Sequence, residues 1–245
     1  GCSDLLNIKD KKTGLIYSIP VDSKDTQNTY NTLNTIRGED QVKRIYCDNY
    51  RSLKRSCRKL GVMWEGCQTN MHQTNSVIER ANSEQLQDTR VTLLQAGHPA
   101  CWWTYGYPCA AMLDAISGDE FGGSKWQERH GTPFKGLHIP YGCGVFFRSS
   151  KYGEPSKAAP KMSYGVFLGY RLAPGGKWNG EYLVADLEDF IGKDMSVTAN
   201  PKQWPRFEPH TVKQLKLPKA GFHFPCKAKY DRVNYTLDGI EQAWE

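Results

Sequence analysis

The alternation of apolar and polar residues predicts several short elements in the first hundred positions. Period-two alternation indicates strands, and apolar residues three or four apart indicate helices. The polar run that ends in Gly14 separates two strand patterns and indicates a hairpin. The predicted order is strand, strand, helix, strand, helix, strand and long helix. The strands are Asp4 to Lys9, Leu15 to Pro20, Val42 to Cys47 and Val62 to Trp64. The helices are Lys24 to Arg37, Tyr50 to Leu60 and Ser76 to Ala96.

The later part of the chain has a different pattern. An apolar helical segment is predicted from Cys101 to Ile116, and the run Gly131-Thr132-Pro133 ends the first domain. After Phe190, a basic, proline-containing tail through Lys229 is expected to be extended or partly disordered. Between them, strands punctuated by glycine predict a small β domain, over Tyr141 to Arg148, Ser163 to Tyr170 and Gly180 to Asp186. The predicted domains are therefore 1–133, 134–192 and 193–245.

The order of elements in residues 1–133 predicts the fold class. It is the order of an α/β, RNase H-like core, in which a mixed sheet is flanked by helices, with the first strand missing. Since the chain does not begin with methionine, we expect it to be a fragment of something longer.

Positive charge is concentrated in one segment. The chain has a net charge of +6, and residues 41–60 alone carry seven bases against the single acid Asp48. In the predicted helix from Tyr50 to Leu60, the bases recur at i, i+3, i+4, i+7 and i+8, whereas the apolar residues take another side. Because the acids of an ordinary solvated face are missing, we expect nucleic-acid contact, with a merely solvated face as the alternative. The candidate contact residues are Lys43, Arg44, Arg51, Lys54, Arg55, Arg58 and Lys59.

Several classes of protein are disfavoured by the sequence. No apolar run approaches the roughly 20 residues of a membrane span, and no signal-peptide pattern is present, so we expect an intracellular protein without a membrane partner. The eight cysteines are scattered, without a C-x-x-C pair or zinc-type spacing. This pattern indicates free thiols in a reducing compartment.

Two acidic residues occupy positions that suit metal chemistry. Asp48 follows the third predicted strand, and Glu79 lies just inside the long helix. Two carboxylates delivered to one place by a strand end and a helix start are suitable ligands for the hard cations that serve phosphoryl chemistry. From spacing alone, an acid that complements the helix dipole is the more ordinary role for Glu79.

The segments around these acids resemble the integrase of copia-type LTR retrotransposons. In that family the second acid lies in an S-D-N motif and the third in a Q-x-N-G-V-x-E-R motif. The corresponding residues here are Cys47-Asp48-Asn49 and Gln73-Thr74-Asn75-Ser76-Val77-Ile78-Glu79-Arg80. The resemblance continues through Pro99 to Trp103, Gly131 to Phe134, Ile139 to Gly144 and Tyr164 to Tyr170, so it covers most of the chain.

The resemblance implies both an architecture and an activity. The architecture is an RNase H-like core followed by a small SH3-like β-barrel, and the activity is metal-dependent strand transfer that integrates DNA. Asp48 and Glu79 would be the catalytic residues and the ligands of Mg²⁺ or Mn²⁺, with Asn49 and Asn75 as supporting groups. The implied partner is DNA, as element ends and as target, in the nucleus or a cytoplasmic element particle. Homo-oligomerisation is left open.

Three departures from the family pattern bear on activity. The family's first catalytic Asp lies on a strand that would precede Asp4 to Lys9. Ser76 replaces the usual glycine, and the spacing from Asp48 to Glu79 is shorter than in the family. Three hypotheses therefore stand. The chain is a transferase region that is active only if a preceding segment restores the Asp, a catalytically dead nucleic-acid-binding remnant, or a structural scaffold for protein interactions.

Overall fold

The computed structural model describes residues 2–66, 76–120, 122–148, 157–158, 160–200 and 208–244. The chain is mixed α/β and divides into two compact units. The first unit comprises residues 1–86, 114–134 and 172–179, and the second comprises residues 87–113, 135–171 and 180–245. The predicted domain limits at 133 and 192 stay predictions.

The first unit opens with the predicted hairpin. Strands β1 (Asp4–Lys9) and β2 (Ile16–Val21) pair antiparallel, with Asp4 opposite Val21 and Lys9 opposite Ile16. In the turn, the backbone N–H of Gly14 donates to the carbonyl of Asp10 at 2.9 Å. Gly14 has a φ of 72°, which favours glycine because a Cβ is strained in the left-handed region.

A parallel strand–helix–strand unit follows the hairpin and helix α1 (Thr26–Arg37). Strand β3 (Arg44–Cys47) pairs with β4 (Met63–Gly66), and helix α2 (Arg51–Leu60) makes the connection that parallel strands require. The N-cap of α1 is Asp25, whose carboxylate accepts the backbone N–H groups of Gln27 and Asn28 at 2.7 and 2.9 Å. The predicted elements of this region are confirmed, with ends shifted by up to two residues.

A small apolar core holds the first unit together. Its buried members are Leu15, Tyr17, Ile36 and Ala115, from β2 and its turn, α1 and the end of helix α4 (Trp103–Ile116). Helix α5 (Lys125–His130) adds Arg129, which forms ion pairs with Asp10 and Asp40. The long helix α3 (Ser76–Ala96) begins in this unit, as predicted.

The second unit contains a five-stranded sheet in the order β8–β7–β6–β5–β9. The three longer strands are β5 (Gly144–Phe147), β6 (Ser163–Ala173) and β7 (Lys177–Asp186). The short strands β8 (His210–Val212) and β9 (Leu215–Lys216) pair with β7 and β5, so one segment reaches both edges and the sheet is curled. The SH3-like assignment of this region stays a prediction.

Within the described residues of the tail that was expected to be extended or partly disordered, strands β8 and β9 are ordered parts of the sheet. Helices α6 (Lys227–Tyr235) and α7 (Leu237–Trp244) follow at and beyond the end of that stretch. Strand β8 is anchored by His210, whose Nε2 lies 2.8 Å from an Asp186 carboxylate oxygen, and by the buried Val212. These interactions are not local in sequence, so the tail's composition did not reveal them.

An aromatic cluster lies in the interior of the second unit. The fully buried His98 ring lies 5.2 Å from the ring centroids of Trp102, Tyr141 and Phe190. Its Nδ1 is 2.9 Å from the Tyr141 hydroxyl. Burial lowers the pKa of His98 to about 3, because the charged imidazolium would lose its hydration. His98 is therefore a neutral core residue at physiological pH.

Candidate functional site

A large cleft lies in the first unit, with a volume of about 1380 Å³. It is lined by β1, β3, the loop after β3, part of α1 and the first turn of α3. Both predicted metal ligands, Asp48 and Glu79, line this cleft. A strand end and a helix start that are about thirty residues apart in sequence therefore both contribute an acidic residue to the lining of this cleft.

Asp48 and its neighbour Asn49 follow the last residue of β3 and are solvent-exposed. The side-chain carbonyl of Asn49 and the ring of Trp64 pack against Gly66, where an added Cβ would overlap both. This close approach explains why glycine ends β4, since any larger residue would displace Asn49. Asn49 also lines the cleft, and its supporting role stays a prediction.

Glu79 lies in the first turn of α3 and is also exposed. The next residue, Arg80, forms an ion pair with Glu84 at 2.8 Å, one turn further along the helix. Val77 and Ile78 line the same cleft as Glu79, so the start of α3 faces this cavity. The predicted supporting residue Asn75 lies outside the described residues.

The described residues fit a metal centre only in part. Among them, no group of three or more His, Cys, Asp or Glu side chains could hold a metal ion. A pair of Mg²⁺ ions requires more oxygen ligands than two carboxylates provide, although one hydrated ion uses as few as one or two. Asp48 and Glu79 thus supply only part of a donor set.

Helix α2 presents the predicted cationic face. Arg51, Arg55 and Arg58 are exposed, and none forms an ion pair within the described part of the chain. The opposite side of α2 is fixed by Ser56, whose hydroxyl donates to the carbonyl of Thr26 at 2.9 Å. Because α2 begins three residues after Asp48, three guanidinium groups are displayed on the helix that follows the candidate site.

The other predicted basic residues have partners that sequence reasoning could not identify. The Lys54 ammonium lies 4.4 Å from the centroid of the Trp64 ring, and that of Lys59 lies 4.3 Å from the Tyr30 ring. Lys59 also donates to the Gln27 side chain at 2.7 Å. These contacts are cation–π and polar interactions within the unit, so both lysines have structural roles in addition to any role in binding.

The two remaining basic residues precede α2. Arg44 pairs with Glu65 of the adjacent strand at 2.8 Å, which offsets its charge. Lys43 is exposed. The seven predicted contact residues therefore fall into two groups and one further residue. Arg51, Arg55 and Arg58 form no ion pair with the described residues, whereas Lys54, Lys59 and Arg44 contact an aromatic ring or a carboxylate. Lys43 is the remaining, exposed residue.

A pair of thiols lies beside Asp48. The side chains of Cys47 and Cys57 are hydrogen-bonded to each other, and neither cysteine forms a disulfide within the described residues. The contact with Cys57, followed by burial, raises the pKa of Cys47, whereas the same hydrogen bond lowers the pKa of Cys57. Cys47 therefore stays a neutral thiol at physiological pH and adds no charge next to the Asp48 carboxylate.

Comparison with known proteins gives distant likenesses among solved structures only. No family model and no curated protein matches the sequence. Among solved structures, the chain is similar to the catalytic core domain of BIV integrase, with a TM-score of 0.39 and 14% sequence identity. The match covers 51% of this chain and 90% of that chain. At this score and identity, nothing about family or activity follows from the likeness. No helix within the described ranges is long and apolar enough to cross a membrane.

Proposed function

We propose that this chain is the integrase-type part of a polynucleotidyl transferase, which binds DNA and contributes two carboxylates to a metal-dependent strand-transfer site. The observation that carries the proposal is the presence of Asp48 and Glu79 on the wall of one cleft. The helix after Asp48 adds exposed guanidinium groups that form no ion pair with any described residue, and these groups suit a polyanionic substrate. The motif resemblance to copia-type integrases supports the same reading.

In the proposed site, Asp48 and Glu79 bind Mg²⁺ or Mn²⁺ together with a third carboxylate from outside the described residues. Divalent ions at such a site activate the attacking oxygen and stabilise the leaving oxygen of a phosphodiester. Asn49 and Asn75 are proposed as supporting groups. The proposed partners are element ends and target DNA, in the nucleus or a cytoplasmic element particle, and the curled sheet of the second unit is proposed to be SH3-like.

A second candidate function is a DNA-binding remnant without catalytic activity. One observation favours it, namely that the described residues supply no third ligand to the two carboxylates. The cationic helix and the curled sheet would then be retained for binding alone. The two functions differ in chemistry and share DNA binding.

Two assays on the purified chain separate these functions. The first measures binding to duplex DNA, and the second measures strand transfer in Mg²⁺ and in Mn²⁺, with Asp48→Asn and Glu79→Gln as variants. If the chain is a transferase, the wild-type protein should form strand-transfer products that depend on the metal ion. Each variant should abolish these products while DNA binding persists. DNA binding without products from the wild-type chain would identify the remnant. Absence of DNA binding would contradict both and leave the structural scaffold.

A further inference from the structure

Two thiols meet beside the cleft of the first unit. Cys47 is the last residue of β3, and Cys57 lies in the second half of α2. Their side chains are hydrogen-bonded to each other, and neither belongs to a disulfide within the described residues. Cys47 and Cys57 thus form a thiol pair, which neither metal binding nor DNA contact uses.

The resemblance to copia-type integrases does not account for the thiol pair. The family's motif has serine where this chain has Cys47, directly before the acid at position 48. A serine at this position cannot be oxidised to a bond with Cys57. The pair is therefore a feature of this chain and not one that the motif requires.

The two sulfurs differ in their access to solvent. Cys57 is fully buried, whereas Cys47 is partly exposed and lines the 1380 Å³ cleft. A small oxidant that enters the cleft therefore meets Cys47 first. Cys57 lies behind it at hydrogen-bond distance, which is the arrangement of an accessible thiol with a resolving cysteine.

The elements that carry the pair can bring the two sulfurs together. Helix α2 is held next to Cys57 by Ser56, whose hydroxyl donates to the Thr26 carbonyl at 2.9 Å. Cys47, by contrast, is the last paired residue of β3, opposite Gly66. A disulfide needs sulfurs about 2.05 Å apart. Because only the terminal pair of the β3–β4 ladder has to adjust, the strand end can close the remaining gap.

The hydrogen bond also makes the pair easier to ionise than an isolated buried thiol. The Cys47 thiol donates to the Cys57 sulfur and lowers the pKa of Cys57. Burial acts in the opposite direction at Cys101, whose pKa it raises to about 11. Once the pair has lost one proton, the two sulfurs share the other. Its transfer from Cys47 to Cys57 places the negative charge on the sulfur that lines the cleft, and the thiolate is the nucleophile.

We propose that the thiol pair is a site of reversible oxidation, at which a hydroperoxide converts Cys47 and Cys57 to a disulfide. The Cys47 sulfur attacks one oxygen of the peroxide, the O–O bond breaks, and the leaving oxygen takes a proton, which gives a sulfenic acid and an alcohol or water. The Cys57 sulfur then attacks the Cys47 sulfur, the S–O bond breaks, and water leaves with the second thiol proton. The two thiols lose two electrons in total, and the peroxide gains them.

Such a disulfide would be transient in a reducing compartment, where thiol reductants regenerate the pair. The bond would close a loop of 11 residues, 47–57, which contains Asp48 and the first turns of α2. Oxidation would thus tie the segment that carries Asp48 to α2. The proposal goes beyond the proposed function, because the thiol chemistry needs neither DNA nor a metal ion.

The test follows disulfide formation in the full chain by peptide mapping. The reduced protein is treated with hydrogen peroxide, the remaining thiols are alkylated, and the fragments are identified by mass spectrometry. A linked fragment that contains residues 47 and 57 should form at least about tenfold faster than Cys101 is oxidised, because Cys101 is partly exposed but has a raised pKa. A thiol reductant should restore both thiols.

Matched serine variants identify the sulfurs that react. Cys47→Ser and Cys57→Ser should each abolish the linked fragment. Cys101→Ser should form it at the wild-type rate, and so should Cys67→Ser, at a position outside the described residues. The wild-type map already decides between the possible products, so the test does not depend on the folding of the variants.

Three results would overturn the proposal. They are a disulfide that joins Cys47 to Cys67 or to a second copy of the chain, oxidation of Cys101 as fast as that of the thiol pair, and absence of the linked fragment at peroxide concentrations that oxidise Cys101.

Oxidised and reduced wild-type chains should also differ in stability. Closing a loop of 11 residues should lower the unfolding equilibrium constant about a hundredfold, which urea unfolding measures. An unchanged or larger constant would show that the bond strains the first unit, and it would contradict a pair that is positioned for oxidation. Loss of DNA binding or strand transfer would bear on the proposed function and leave this test unaffected.

Discussion

Replacing the three unpaired arginines of α2 should reduce the salt dependence of DNA binding. Arg51, Arg55 and Arg58 are exposed and form no ion pair among the described residues, so each is available to a phosphate. Each phosphate contact contributes about 0.9 to the slope of log K against log salt on duplex DNA. The triple alanine variant should therefore lose about 2.7 from that slope. Between 50 and 200 mM salt, the wild-type affinity should fall about 40-fold more than that of the variant.

The assay is fluorescence anisotropy with a labelled duplex of about 20 base pairs, titrated at four salt concentrations. Urea unfolding of both proteins serves as a control for folding, and exposed surface substitutions of this kind shift stability by only about 0.5 kcal/mol. A matched variant removes three exposed basic residues of the second unit that lie outside its sheet, namely Lys135, Lys219 and Arg232. An unchanged slope in the α2 variant, or an equal loss in the matched variant, would refute the assignment of α2.

Three further predictions concern stability, each measured by urea unfolding. Ser56→Ala should lower the free energy of unfolding by about 1–2 kcal/mol, because the Thr26 carbonyl loses its donor. Ser52→Ala, on the same helix, should leave the free energy of unfolding unchanged, since the buried Ser52 hydroxyl has no hydrogen-bond partner among the described residues. Equal losses of stability in the two variants would argue against this packing. Gly66→Ala should cost about 1–3 kcal/mol through overlap with the adjacent tryptophan ring, and a neutral result would contradict the close approach. The pKa of His98 is depressed in the folded state, so the unfolded chain binds the proton first and stability is lost as pH falls below about 6.5. The free energy of unfolding should fall by about 2 kcal/mol between pH 7 and pH 5, and this fall should be absent in His98→Gln. A fall that persists in this variant would show that other groups cause it.

The sequence predicted the elements whose signals are local. The hairpin, the cationic helix and the long helix that carries Glu79 all follow from period and turn residues, and their bounds differ little from the structure. The carboxylates at 48 and 79 were assigned to one place by motif, and both line one cleft. That they share a cation is a prediction.

Features that depend on distant contacts were not predictable. The strands His210–Val212 and Leu215–Lys216 are too short to show alternation and are held by pairing with strands far away in sequence. The lysines at 54 and 59 look equivalent to their arginine neighbours until Trp64 and Tyr30 approach them. The cleft beside β1 results from tertiary packing, so the spacing of apolar residues along the sequence gives no information on it.

The most direct test of the account is whether Asp48 and Glu79 bind the same cation. Mn²⁺ is paramagnetic and broadens nearby resonances, so a titration followed by amide NMR locates the ion. The account predicts that the amides of Asp48, Asn49, Glu79 and Arg80 broaden together, and that Asp48→Asn and Glu79→Gln each abolish broadening at both segments. Broadening at one segment only, or at the two segments independently in the single variants, would contradict the shared site.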